Sequence, residues 1–155
     1  MNRSTKRSFD LIVAGVGLVV LSPLLLVIAV AVRIDSGAPV FFRQERVGKG
    51  GRPFRIWKFR TMVVGAEKMS ANVSAAGDPR VTRVGGWLRG TYLDELPQLF
   101  NVMLGEMSMV GPRPETPEYV ALYADHEREL LTIRPGIAGP STLAYMDEAE
   151  ILASV

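Results

Sequence analysis

The sequence predicts an α+β fold, mainly α, that begins in a membrane, and three observations carry that prediction. The run Leu11 to Val32 has no charge, is interrupted at its centre by Ser22-Pro23, and has basic residues on both sides. Two short runs rich in aromatic and β-branched residues follow, separated by glycines. Helical patches punctuated by Gly and Pro then fill the remainder. The chain accordingly divides into residues 1–36, a re-entrant membrane helix hairpin with its basic flank, and 37–155, one small cytoplasmic domain with a short β-hairpin and several helices.

The first segment is long enough to matter to a bilayer. At ~1.5 Å per residue an unbroken helix over Leu11 to Val32 reaches roughly 33 Å, against a hydrocarbon core of ~30 Å. Pro23 cannot donate to the carbonyl of Val19 and its ring crowds that turn, so a kink or break is expected near mid-depth, with the Ser22 hydroxyl at hand for the freed carbonyl. Arg3, Lys6 and Arg7 precede the run; Arg33, Arg43, Arg46, Lys49, Arg52, Arg55, Lys58 and Arg60 follow it against Asp35 and Glu45. Both flanks favour the cytoplasmic side. Hydropathy alone allows a single-pass anchor equally well; the Ser-Pro break and the two-sided charge favour entry and return on one face, a monotopic arrangement. A cleaved signal peptide fits poorly, because the apolar run exceeds the usual ~7–15 residues and a basic block behind it opposes export.

Charge is distributed unevenly. Residues 1–90 carry fifteen basic and five acidic side chains, whereas 91–155 carry three basic and eleven acidic ones, within a net charge of +2. The basic part adjoins the apolar helix, where each Lys or Arg near an anionic leaflet contributes roughly 1 kcal/mol of attraction. Nucleic acid is not an expected partner, since no helix-turn-helix, zinc or RNP-type pattern accompanies the basic residues. The chain has no cysteine, which excludes disulfides, thiolate metal sites and a thiol nucleophile. The single histidine, His126, lies in a charged stretch and reads as a surface residue.

Beyond the apolar run, Pro39-Val40-Phe41-Phe42 and Phe54 to Phe59 read as strands, and Gly48-Lys49-Gly50-Gly51 between them supplies residues tolerant of positive φ. A nucleotide P-loop is excluded there, because Gly48-Lys49 is not followed by Ser or Thr and no glycine stands five residues before Gly48. Met62 to Val73 reads as a short helix and Ala75 to Pro79 as a loop. Helical patches are expected around Trp87 to Arg89, Leu96 to Leu104 and Glu118 to Ile133, joined by Gly- and Pro-rich connections.

Candidate chemistry centres on Leu93-Asp94-Glu95-Leu96-Pro97-Gln98. Proline is comfortable only in a first helical turn, so Pro97 places a helix start near itself and the two carboxylates at its N-terminal end, where the dipole favours their ionised form. A pair of acids at a helix start is also common without catalysis. Here it is accompanied by Arg60, Arg80, Arg83, Arg89, Arg113 and Arg134 in turn-rich segments, each with a planar fork suited to phosphate oxygens. Flanking prolines hold Arg113 in a stiff segment, a layout suited to a diphosphate with a divalent metal. Candidate substrate-binding residues are Lys58, Arg60, Arg89, Pro112, Arg113 and Pro114.

Taken in order, Lys6-Arg7, Phe9-Asp10, Ser22-Pro23, Phe42-x-Gln44-x-Arg46-x-Gly48, Lys58-Phe59-Arg60-Thr61-Met62, Leu93 to Gln98, Asn101-Val102, Gly105 to Ser108, Val110 to Pro114 and Arg134 to Ile137 resemble the blocks of the bacterial sugar transferases. These are monotopic polyprenyl-phosphate phosphoglycosyl transferases of the small single-domain type. The resemblance implies transfer of a phosphosugar from a UDP-sugar to polyprenyl (undecaprenyl) phosphate at the cytoplasmic face of the bacterial inner membrane. The products would be a polyprenyl-diphosphate-sugar and UMP, the first membrane step towards an exopolysaccharide, capsule, O-antigen (lipopolysaccharide) or glycoprotein. It implies Asp94 as the nucleophile that carries a covalent phosphosugar, and Mg²⁺ as cofactor held by Glu95 with Asp94. Implied partners are the UDP-sugar, the lipid phosphate, inner-membrane lipid and other glycan-assembly enzymes. Two departures accompany it: family members usually continue some tens of residues past Val155, so a C-terminally shortened member is expected, and Pro140-Ser141 stand where many relatives carry an aromatic residue. The competing reading is a catalytically silent membrane-bound scaffold, or a fragment of such an enzyme.

Overall fold

In the computed structural model, residues 2–66, 69 and 78–139 are described. Helix α1 spans Arg3–Ser36, 34 residues, with Pro23 inside it. The amide that Pro23 lacks would have bonded the Val19 carbonyl, and the Ser22 hydroxyl donates to that oxygen instead, at 2.7 Å. The Ser-Pro step therefore lies within one helical element. Ala14, Leu18, Leu21, Leu25, Ile28, Ala29 and Val32, spaced mostly three or four apart, turn towards the rest of the chain and enter its two apolar cores. The opposite face leaves Ile12, Val16, Val19, Val20, Val27, Val30 and Ile34 exposed. Among the described residues α1 is the one helix long and apolar enough to cross a membrane.

Strands β1 (Phe41–Val47) and β2 (Pro53–Phe59) form the expected antiparallel hairpin, in register from Phe41↔Phe59 to Val47↔Pro53. A 3₁₀ turn, Lys49–Gly51, joins them, with Gly50 and Gly51 at φ of +71° and +74°. β1 reaches Val47, five residues past the run read as strand from sequence. Its polar residues pair across the ladder and find partners: the Arg43 guanidinium stacks 3.9 Å from the Trp57 ring centre. Met62, by contrast, forms an antiparallel bridge with Val81, and Gly65 takes φ of +81°. The start of the helix expected over Met62 to Val73 is thus bridge and turn; residues 67, 68 and 70–73 of that stretch, and Ala75 to Gly77 of the expected loop, lie outside the described residues.

Helix α2 (Arg83–Gly90) begins at Thr82, whose hydroxyl accepts from the Gly85 amide at 3.0 Å. Gly85 is where α2 meets the backbone of Thr61: a Cβ there would overlap the Thr61 carbonyl. Helix α3 (Gln98–Leu104) follows Pro97 as expected. It is tied to β2 by Asn101, fully buried, whose Oδ1 accepts from the Trp57 amide (2.9 Å) while Nδ2 donates to the Arg55 carbonyl (2.9 Å) and Glu106 Oε2 (2.7 Å). Arg7 of α1 donates to the Val102 and Met103 carbonyls at the C-terminal end of α3, where free carbonyls and the dipole favour a cation.

Two three-residue strands, β3 (Ser108–Val110) and β4 (Gly136–Ala138), pair in parallel, Ser108↔Gly136 and Val110↔Ala138. The sequence reading held both as connections. They meet because Gly111 and Gly136 let the backbones approach: a Cβ on either would overlap main-chain atoms of the other segment. Between them, Glu118 to Ile133 was expected to be helical. Only the single turn α4 (Pro117–Val120) and a 3₁₀ stretch (Glu127–Thr132) form, with the Glu127 carboxylate accepting from the Ala124 amide at 2.8 Å between them. Leu122 and Leu130 are exposed there, so no apolar stripe drives a longer helix. His126 is exposed, as expected.

The two cores lie side by side under α1. One gathers Ala14, Phe54, Ile56, Leu99, Val102 and Met107; the other Ile28, Val32, Phe59 and Leu88. Burying each such large side chain contributes roughly 1.5–3 kcal/mol. Both are completed by α1, so the apolar helix and the remainder of the chain share their interior.

Candidate active site

Asp94 and Glu95 fall in a 3₁₀ turn, Leu93–Glu95, immediately before α3. Tyr92, which precedes it, takes the left-handed conformation (φ 56°, ψ 14°), uncommon for a residue with a Cβ, and turns the chain so that both acids point inward. Their side chains are largely buried: Asp94 is 8% exposed, the Glu95 side chain 13%.

Cations meet them from separate elements. Lys58, near the end of β2, places Nζ 2.6 Å from Glu95 Oε1. Arg113, in the segment between β3 and α4, brings Nη2 to 3.7 Å from the same oxygen. Arg89, at the end of α2, donates from Nε to the Thr61 hydroxyl at 2.8 Å and acts on Asp94 by charge. Burial pushes the Glu95 carboxyl up, but Lys58, by charge and hydrogen bond, together with Arg113 and a bond from Gln98, holds it below the ordinary carboxylate value. Asp94 goes the other way. Its burial raises the pKa, the nearby Glu95 charge adds to the rise, and Lys58 and Arg89 offset only part of it.

A narrow, open pocket lies over Glu95, lined by Arg46, Ile56, Lys58, Gln98, Arg113, Pro114, Gly136 and Ile137. Pro112 and Arg113 also border a second, more apolar hollow beside Tyr123. Of the residues singled out in the sequence, Glu95, Lys58, Arg113 and Pro114 come together at the first pocket; Asp94 is not part of its lining but lies next to Glu95 in the chain, with Lys58 and Arg89 reaching it by charge. Arg60 is engaged elsewhere: it is 6% exposed, and Nη2 donates to the Ser36 carbonyl (2.8 Å), the Ser36 hydroxyl (3.0 Å) and the Gly37 carbonyl (2.7 Å), closing the C-terminal end of α1. Arg80 pairs with Asp78 at 2.6 Å. Ser22 and Pro23 lie mid-way along α1.

Arg46 was not among the site candidates, yet it lines the pocket. It donates to the Pro114 carbonyl (3.1 Å) and to Gln44 Oε1 (2.7 Å), and lies 3.9 Å from Glu115. The signal for it was strand alternation: Arg46 opposes Phe54 and Gln44 opposes Ile56, so both share the inward face of the hairpin. Gln98, 2% exposed, is a second residue the sequence reading passed over; it donates to Glu95.

Fold and site together define a small α+β body built on one long apolar helix, with a neighbouring carboxylate pair met by the cations Lys58, Arg113 and Arg89. The chain belongs to the bacterial sugar transferase family, which it matches over residues 1–154. It is 47% identical over 114 residues to a putative undecaprenyl-phosphate N-acetylgalactosaminyl 1-phosphate transferase of Bacillus subtilis, covering 74% of this chain and 64% of that protein. It is 45% identical over 140 residues to a UDP-N-acetylgalactosamine-undecaprenyl-phosphate N-acetylgalactosaminephosphotransferase of Aeromonas hydrophila (86% of this chain, 32% of that one). A UDP-glucose:undecaprenyl-phosphate glucose-1-phosphate transferase of Escherichia coli is 42% identical over 146 residues (90% and 31%). The chain thus spans just under two thirds of the first relative and about a third of the other two.

Proposed function

We propose that this chain transfers a sugar 1-phosphate from a UDP-sugar to polyprenyl phosphate at the cytoplasmic face of a bacterial inner membrane. The observation that carries the reading is the convergence of Lys58 and Arg113 on Glu95, next to the buried Asp94, beneath an apolar helix. The names of the relatives, which pair a UDP-sugar with undecaprenyl phosphate, supply the substrate class.

Two displacements at one phosphorus account for the product. An Asp94 carboxylate oxygen attacks the phosphorus that bears the sugar, the bond from that phosphorus to the bridging oxygen breaks, and UMP leaves with the electron pair. An oxygen of the polyprenyl phosphate then attacks the same phosphorus and Asp94 departs as carboxylate, leaving the polyprenyl-diphosphate-sugar. Burial of Asp94 excludes the water that would hydrolyse its acyl phosphate. Arg113, fixed between two prolines, and Lys58 neutralise phosphate oxygens as charge shifts to the leaving UMP.

Mg²⁺ fits this donor set, for it commonly takes one or two carboxylates together with substrate phosphates and waters, and Asp94 and Glu95 are adjacent carboxylates. When bound it would supply charge to the diphosphate. Glu95 is the ligand of choice, because Lys58 and Arg113 hold it ionised. Among the described residues no cluster of three or more acidic or histidine side chains offers an all-protein cage.

The hairpin topology belongs to the same proposal. Lys6 and Arg7 at one end of α1 bond β3 and α3, and Ser36 and Gly37 at the other end bond Arg60, so one polar body holds both ends. A helix crossing the bilayer would carry part of that body through it. This supports a helix that enters one leaflet and returns, with its exposed face in lipid.

The test is turnover of a radiolabelled UDP-sugar with polyprenyl phosphate in lipid nanodiscs. Label should pass to lipid, and UMP should exchange into UDP-sugar without any lipid acceptor. Transfer that shows ternary-complex kinetics and no such exchange removes the Asp94 intermediate; no transfer at all removes the reading.

A further inference from the structure

Lys6 and Asp10 stand one turn apart on α1, and both close on β3. Asp10, 3% exposed, accepts from the Met109 amide at 3.1 Å and from the Ser108 hydroxyl at 2.9 Å. Lys6 lies 3.5 Å from the Asp10 carboxylate, donates to the Ser108 hydroxyl and reaches the Val110 carbonyl at 3.2 Å. A carboxylate this buried is costly unless it is paired and hydrogen-bonded, and every partner it has either belongs to β3 or bonds to it.

The arrangement completes a strand. β3 has three residues, and one edge bonds the β4 segment, through the Ser108 amide to the Pro135 carbonyl (2.9 Å) and the Gly111 amide to the Ala138 carbonyl (3.0 Å). On the other edge, α1 side chains take the Met109 amide and the Val110 carbonyl, groups that would otherwise lie unpaired at the helix-strand contact. Arg113 follows Val110 by three residues, with Pro112 anchored by the Gly136 amide at 2.9 Å. That short, proline-stiffened path leaves little slack between Met109 and the guanidinium facing Glu95.

We propose that Asp10 is a positioning residue for the transfer reaction: by fixing β3 from within the membrane helix, it sets where Arg113 stands relative to Glu95. The proposal rests on the reaction assigned above. It makes the seating of α1 in lipid and the geometry of the phosphate site parts of one rigid connection, so that a helix displaced in the bilayer displaces Arg113.

A double-mutant cycle on the full chain in nanodiscs tests it. Asp10→Asn keeps an acceptor for the Met109 amide but loses the charge that faces Lys6, and should lower kcat about tenfold, since displacements near 1 Å cost up to ~100-fold. Asp10→Ala should lower it further. In an Arg113→Lys background, where the two-point contact is already gone, Asp10→Asn should cost less than about threefold, because coupled sites are not additive. Amide exchange gives a readout independent of turnover: Met109, Val110 and Gly111 should exchange faster in Asp10→Asn, with the β1–β2 hairpin unchanged. Costs that simply multiply in the double variant, or exchange that is unchanged at β3 or accelerated everywhere alike, overturn the positioning role while leaving wild-type transfer intact. A wild-type chain without transfer overturns the reaction and Asp10's part in it together.

Discussion

Lys58 divides two neighbouring carboxyls: its ammonium lies 2.6 Å from Glu95 Oε1, and of the pair Glu95 is held below its ordinary pKa whereas Asp94 is raised above it. Environments that push adjacent groups apart assign them different work. In the proposed reaction Glu95 would stay anionic as a partner for cations, and Asp94, less well solvated, would be the more nucleophilic carboxylate once ionised. Activity should therefore fall on acidification as Asp94 takes up a proton, at a pH above the 3.8 of an ordinary aspartate. Replacing Lys58 with Met removes the charge that favours both anions, so the acid limb of kcat/KM against pH should move upward and the plateau should drop. A limb that stays in place in Lys58→Met assigns the titration to another group.

The same burial gives Asp94 a stability signature. A carboxyl whose folded pKa is raised binds its proton more tightly folded than unfolded, so the stabilisation is present below the unfolded value and lost as pH rises through the folded one. At neutral pH the ionised Asp94 therefore weakens the fold. Asp94→Asn should abolish both the phosphosugar adduct and turnover while raising Tm at pH 7. In chains of 150–250 residues each 1 kcal/mol moves Tm by roughly 2–4 °C, so a stabilisation of that order is readily measured as an upward shift. At pH near 3, where aspartate is protonated in either state, the gain should vanish. Scanning calorimetry at the two pH values checks it.

Arg113 and Arg46 share one pocket but should fail differently. Arg113→Lys keeps the charge and loses the planar fork; one charge-assisted hydrogen bond is worth about 1.5–3 kcal/mol, so kcat/KM should fall roughly 10- to 100-fold without loss of stability. Arg46 holds the Pro114 carbonyl and is itself mostly buried, its Nε without a partner among the described residues. Arg46→Gln should lower Tm as well as kcat/KM, because the carbonyl loses its donor and Glu115 its cation. Thermal melts run beside initial-rate kinetics separate the two cases.

How much of this was legible in the sequence follows from how local each signal is. The apolar helix, the hairpin glycines and the Pro97 helix start are set by runs of neighbouring residues, and each stands close to where the sequence put it. The β3–β4 pair was not legible. Its strands are three residues long and meet through Gly111 and Gly136, with α1 side chains on the free edge, none of which a local pattern encodes. Asp94, Glu95 and Arg113 announced themselves by chemistry and rigid neighbours. Arg46 did not, because in a run of polar residues only the register with β2 reveals that it faces inward. The charged flank of α1 was read as a membrane signal, yet Lys6 and Arg7 also bond β3 and α3, which a count of charges does not disclose.

The placement of α1 can be read from labelling, since the chain has no cysteine of its own. Single cysteines at Ser4 and at Ala38, both exposed and flanking the apolar run, should react with an impermeant maleimide only from the cytoplasmic side of membrane vesicles. Labelling from opposite sides would establish a spanning helix and remove the hairpin. Pro23→Leu restores the amide for the Val19 carbonyl, frees the Ser22 hydroxyl from that role and makes a continuous apolar helix the best-satisfied backbone in lipid. It should therefore expose part of the Ser4 population on the far side. In those molecules Lys6, Arg7 and Asp10 would be torn from β3 and α3, so lipid-linked product should fall in proportion to the inverted fraction. Full activity with Ser4 inverted would show that α1 need not be docked for the site to work.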